Sequence, residues 1–198
     1  MTNGGSGPSP DLSIARHDLG ASCAGVTGNL LANSSFETEI TGADPNGKAN
    51  NTGSPASTIP GMWDGCCGTP QTTQWSVTQT ASRCGGRSVE VKSTSASLNV
   101  LSQAIVPVQT GNAGKTFTLS GYAFVTAASS GGQLLLDVFD LMTNQPLSPT
   151  TLALASPTSD WTELRVTGTV PAGAKVQVRI NTSGNVTAYV DDLAFTIN

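Results

Sequence analysis

The chain is predicted to be all-β: a two-sheet antiparallel β-sandwich of the jelly-roll type, carrying an extended N-terminal arm. Three observations predict it. Charged residues make up only 11% of the 198 residues, while Thr, Val, Ser and Gly are abundant, a composition suited to short strands joined by polar turns. Apolar and polar residues alternate with period two over several stretches, and no stretch sustains a helical period. Turn residues divide roughly eight to ten such stretches, which is the spacing of a sandwich.

The elements follow in order. Residues 1–28 form a Gly/Ser/Pro-rich arm with one short apolar element at Leu12 to Leu19, and the sandwich domain spans 29–198. NLLANSSFE, from Asn29, reads as a first strand entering a turn. Residues 38–74 form a long loop rich in Gly, Asn, Pro and Thr, holding GMWDGCCG. So long a loop within a compact domain is functional or pinned. Regular strands then begin with QWSVTQT, RSVEVKS and LNVLSQAIVPV. In KTFTLSGYAFV, Phe117, Leu119, Ala123 and Val125 share one face, with Thr118, Ser120, Tyr122 and Phe124 on the other. GQLLLDVFDL is apolar enough to be covered on both faces. WTELRVTGTV, KVQVRINTS and TAYVDDLAFTI close the chain. In the last of these, alternation places Asp191 in line with Tyr189, Leu193 and Phe195 on the core face, an acid aimed inward.

Composition also excludes. A net charge of -4 with no basic stripe argues against nucleic acid. No apolar run approaches the ~20 residues of a membrane helix. The N-terminus lacks a basic segment followed by an apolar one, so no secretory signal is read there. The four cysteines are Cys23, Cys66, Cys67 and Cys84. Adjacent Cys66 and Cys67 would strain the peptide by bonding to each other. Cys23 and Cys84 are therefore expected each to pair with one of them, in an order the sequence leaves open. Such usage points to an extracellular setting. A zinc site helped by His17 is the weaker alternative, because no C-x-x-C pair is present.

Catalysis is not expected. His17 lies in the arm, so no histidine stands in the sandwich to serve a triad. Asp137 and Asp140 share a strand at odd spacing and face opposite ways, as do Asp191 and Asp192, so neither pair can act across a glycosidic bond.

NLLANSSFE, the Trp-led QWSV, GGRSVEVKS, LSQAIVPVQTGNAGKTFTLSGYAFV, WTELRVTGTVPAGAKVQVRINTSG and YVDDLAFT occur in this order between Asn29 and Ile197. Together they resemble the jelly-roll carbohydrate-binding modules of the group that includes families four, nine and twenty-two. The resemblance implies a structural calcium ion held by the acids matching Glu37 and Asp191, stapling the first strand to the last. The alternative is that Asp191 caps a turn or pairs with an arginine such as Arg179. It implies a sugar ligand stacked on aromatic rings. The candidates are Trp63 in the long loop, and Tyr122, Phe124 and Phe139 on sheet faces. Trp75 and Trp161 match positions where the family has a core aromatic.

Two functional classes follow. One is a bacteriophage virion protein, a capsid decoration or tail component. It would be displayed on the particle surface, bound to other virion proteins through the arm, able to bind glycans and to form a homo-oligomer. The other is a secreted polysaccharide-binding module.

Overall fold

The computed structural model describes residues 25–37, 39–40, 59–60, 63–66, 73–104, 110–129, 131–147 and 152–198. Two long strands, β5 (Ser88–Ala104) and β11 (Val176–Ile197), organise them. They pair antiparallel over most of their length, from Val190↔Val89 to Gln177↔Ala104, with a break in register between Thr182 and Gly184. At that break the ribbon bends from one sheet into the other.

The first sheet runs β10 (Thr162–Thr169), β6 (Thr116–Ala128), the C-terminal half of β11, the N-terminal half of β5, and β4 (Thr73–Thr78). In the second, β7 (Gln133–Asp140) pairs with the N-terminal half of β11, whose other neighbour is the C-terminal half of β5, edged by β3 (Asp64–Cys66). Two short strands, β8 (Gln145–Pro146) and β9 (Leu152–Leu154), lie on the free side of β7. β1 (Glu39–Ile40) and β2 (Ile59–Pro60) form a separate two-stranded sheet, with β2 near β4.

The sheets close over a single core. Phe117, Leu119, Ala123 and Val125 face it from β6, Leu134, Leu136 and Val138 from β7, and Val176, Val178 and Ile180 from β11. Burying such a side chain stabilises the fold by roughly 1.5–3 kcal/mol. Gly121 marks a close approach of the layers: a Cβ there would lie 2.1 Å from Leu193 and 3.4 Å from Leu136.

Three expectations change. Residues 29–37 make turns rather than a strand, with Asn33 and Phe36 at φ 46° and 58°. The segment is stitched down instead by side chains. Asn29 Oδ1 accepts from Phe195 N at 2.9 Å, and Gln103 both accepts from Ala32 N at 2.8 Å and donates to Ala32 O at 2.9 Å, as a strand backbone would. RSVEVKS joins LNVLSQA in β5, and KVQVRINTS joins TAYVDDLAFTI in β11, because the chain bends without ending. Gly184 allows the bend at φ 69°, where an added Cβ would meet Gly131 O at 2.5 Å.

The third concerns Asp191. Val186, Ala188 and Val190 are the core residues of this part of β11, so Tyr189 and Asp191 lie on the outer face, opposite Phe124 and Tyr122. A bulge follows, with Asp192 at φ 52° and the register moving from Asp191↔Tyr122 to Ala194↔Ser120. One extra residue reverses the phase and returns Leu193 and Phe195 to the core. Asp191 is nevertheless fully buried, because the 81–87 loop covers it.

Candidate functional site

The outer face of the second sheet carries a polar row. Alternation puts Gln133, Leu135, Asp137 and Phe139 of β7 on it, beside Gln177, Arg179, Asn181 and Ser183 of β11. Pairing sets Phe139 opposite Gln177, Asp137 opposite Arg179, and Leu135 opposite Asn181. Ser102 of β5 lies opposite Arg179 on its other side.

The side chains are linked. Arg179 Nε donates to Gln177 Oε1 at 2.8 Å, and Gln177 Nε2 donates to Ser102 Oγ at 3.0 Å. Gln133 Nε2 donates to Ser183 Oγ at 3.1 Å. The Arg179 guanidinium lies 3.2 Å from the centre of the Phe139 ring, a cation–π contact. Burial pushes the Asp137 carboxyl above its usual range, opposed by the Arg179 charge and by hydrogen bonds from Val138 and Asn181. Burial likewise lowers Arg179, opposed by Asp137, yet a guanidinium keeps its charge in proteins.

Two acceptors on this row have no partner. Asp137 Oδ1 and Asn181 Oδ1 are buried and make no hydrogen bond, in side chains only 8% and 3% exposed. Leaving such an acceptor unmet costs about 1–3 kcal/mol. Both are acceptors, and both stand beside a fixed guanidinium donor. The arrangement can receive a ligand that offers several hydroxyl donors and an acceptor within a few ångströms.

The expected platform aromatics are dispersed. Trp63 is 2% exposed and packs on Phe36 with ring centroids 5.4 Å apart, so it is a core residue rather than a platform. Tyr122 and Phe124 lie on the outer face of the first sheet, the opposite side of the sandwich from Phe139. Trp75 is buried in the core, but Trp161 is half-buried and packs on Phe124 from outside. Arg179, Asn181 and Gln177 are face residues that the sequence motifs above do not single out. Their signal was the strict alternation of polar Gln177, Arg179, Asn181 and Ser183 with apolar Val176, Val178 and Ile180.

Glu37 and Asp191 both hold the 81–87 loop. Asp191 Oδ2 accepts from Arg83 N at 2.8 Å and Cys84 N at 3.3 Å, while Oδ1 accepts from Asp192 N at 2.8 Å. Glu37 accepts from Gly86 N and Arg87 N at 3.2 Å. Asp192 pairs with Arg83, whose guanidinium lies over the Tyr122 ring. Burial first, then the neighbouring Asp192 charge, pushes Asp191 up to about 7, against the pull of its three N–H donors. In this structure both carboxylates face N–H groups of the 81–87 loop. Among the described residues, the cluster of metal-ligating types is Cys84, Asp191 and Asp192, without Glu37. Cys84 is disulfide-bonded and supplies no thiolate. Cys23, Cys67, His17 and residues 1–24 of the arm lie outside the described residues, as does the Cys66 side chain.

No family model matches the chain, and no curated protein does. Solved structures match by fold. A carbohydrate-binding module of family 61, solved in complex with β-1,4-galactotriose, is 13% identical, with 86% of this chain and 99% of that one covered and a TM-score of 0.55. The family 22 xylan-binding domain of Paenibacillus barcinonensis Xyn10C is 14% identical, covering 70% of this chain and 87% of that one, with a TM-score of 0.52. Tailspike protein 4 of bacteriophage CBA120 is 10% identical, with 86% of this chain but only 22% of that one covered, at a TM-score of 0.52. The chain thus has the jelly-roll fold of carbohydrate-binding modules. The tailspike likeness is one of fold and assigns no place on a particle.

Proposed function

We propose that the protein is a non-catalytic glycan-binding module and that the outer face of the second sheet is its binding face. The observation that carries this reading is the pair of buried, unpartnered acceptors, Asp137 Oδ1 and Asn181 Oδ1, beside an Arg179 guanidinium fixed on Phe139. A sugar ring supplies vicinal hydroxyls that donate to such acceptors and accept from the guanidinium. The fold supports the reading, and so do the xylan-binding and galactotriose-bound modules that share it. Carriage on a secreted protein or on a virion is compatible with the same face.

The test is calorimetric titration of the full chain with β-1,4-linked galacto-, xylo- and gluco-oligosaccharides. Arg179→Ala and Asn181→Ala are each expected to weaken binding about ten- to a hundred-fold, the loss of one charge-assisted or buried hydrogen bond. Binding of any of these sugars that neither substitution alters would refute the assignment of the face. Binding of none by the unaltered chain would refute the ligand class tested.

A further inference from the structure

The first sheet ends at β10, which pairs with β6 alone. Thr158 N donates to Val125 O at 2.9 Å, Val125 N to Thr158 Oγ1 at 3.1 Å, and Val170 N to Lys115 O at 3.0 Å, whereas Asn198 N, on the β11 side, donates to Thr116 O. Odd-numbered residues of β6 therefore turn their backbone groups toward β10. Register sets them opposite even-numbered residues there, Leu119 opposite Val166 and Gly121 opposite Leu164. The N–H and C=O groups of Glu163, Arg165 and Thr167 point the other way, out of the sheet, and make no hydrogen bond to any described residue. The Glu163 and Arg165 side chains are 48% and 60% exposed, while Leu164 and Val166 face the core.

We propose that this edge pairs antiparallel with the same edge of a second copy of the chain, joining two first sheets into one about a two-fold axis at Leu164. Only the odd-numbered residues offer free backbone groups, so the possible registers differ by steps of two residues. With the axis at Glu163 or at Arg165, like charges stand directly opposite. With the axis at Leu164, Glu163 faces Arg165 of the second copy, Arg165 faces its Glu163, and Trp161 faces its Thr167. Glu163 and Arg165 are the only charged residues of β10, so no other register of the strand pairs opposite charges. Opposite-charge and aromatic–β-branched pairs directly across a ladder are favourable, and like charges are not.

Charge commits the edge to its own kind. Charged side chains on an edge strand ordinarily keep other chains away. An acid and a base two residues apart do so for most strands, yet they are self-complementary about the residue between them, as an isologous contact requires. Within one chain Arg165 Nη1 lies 3.9 Å from Glu163 Oε1, a long, exposed contact of little strength, so both groups are available to pair across the axis. Directly opposed residues project from the same face of a sheet, so the axis runs perpendicular to it and the second-sheet faces of both copies look the same way. On the glycan reading above, the dimer offers two binding faces to one polysaccharide. The pairing itself does not rest on that reading, since β10 shares no residue with the Arg179 face.

Sedimentation velocity of the full chain from about 1 μM to 1 mM tests the proposal. The unaltered chain is expected to pass from the mass of one chain to that of two as concentration rises. Glu163→Arg and Arg165→Glu each set like charges across the axis, and each should move the transition to at least ten-fold higher concentration. An equimolar mixture of these two variants restores opposite charges in a mixed dimer and should associate as the unaltered chain does. Thr167→Pro removes one outward N–H without removing a hydrogen bond to β6, and should also raise the transition at least ten-fold. Melting curves confirm that the variants fold. A chain that keeps the mass of one copy throughout would overturn the proposal. So would single variants that associate as the unaltered chain does, or a mixture that associates no better than its components.

Discussion

Replacing Asp191 by alanine tests whether the closing strand is held by hydrogen bonds or by an ion. The carboxylate accepts three backbone N–H groups, from Arg83, Cys84 and Asp192, and is fully buried. Each buried donor left without an acceptor costs about 1–3 kcal/mol. Against that, above about pH 7, where Asp191 is ionised, the substitution also removes a desolvated charge beside Asp192, which offsets part of the loss. A net destabilisation of about 3 kcal/mol results, and for a domain of this size each kcal/mol lowers Tm by roughly 2–4 °C. The expected fall is therefore about 6–12 °C by calorimetry. Asp191→Asn keeps a carbonyl acceptor toward the loop and should cost about 1 kcal/mol. With both Glu37 and Asp191 facing N–H donors, EDTA should leave the Tm of the unaltered chain unchanged. The reasoning is refuted if Asp191→Ala melts within about 2 °C of the unaltered chain. It is equally refuted if EDTA lowers the Tm and calcium restores it, since the carboxylates would then turn from the loop to an ion.

Other outcomes follow from the same geometry. Folded Asp191 keeps its proton up to about pH 7, while the unfolded chain releases it near 3.9. The native state binds the extra proton between these values, so this group makes stability fall as pH rises from about 4 to 7; urea titrations should show a shallower fall in Asp191→Asn. Asp140 behaves oppositely. Burial raises its pKa, but donors from Met142, Lys175 and Thr143 outweigh that and hold it below the usual range, so its contribution is present above about pH 4 and lost in acid. Because Oδ1 accepts from both Met142 N and Lys175 N, and Thr143 Oγ1 meets Oδ2, Asp140→Ala should cost about 2–4 kcal/mol and Asp140→Asn much less; equal losses in urea would show that charge, not acceptor geometry, matters. Gly184→Ala combines a positive φ with a Cβ 2.5 Å from Gly131 O, and should lower stability by about 2–4 kcal/mol in the same assay.

The sandwich was legible because period-two alternation is local: the two faces of β6 stand as KTFTLSGYAFV implied, and Asp137 and Asp140 do face opposite ways. Asp191 and Asp192, expected to face apart, instead both turn to the 81–87 loop because the bulge falls between them and the core. What alternation does not carry is where a strand bends or slips. Gly184 in β11 looks like a turn residue but serves as a bend inside a strand. The bulge at Asp191 and Asp192 reverses the inside–outside phase through a single αL residue, and no apolar pattern marks it in advance. Trp63 illustrates a second limit. Its position in a polar loop pointed outward, but burial is decided by Phe36, a residue 27 positions earlier in number that folds beneath it. Charge alone offers Arg179 as one alternative partner for Asp191, whereas register sets it opposite Asp137.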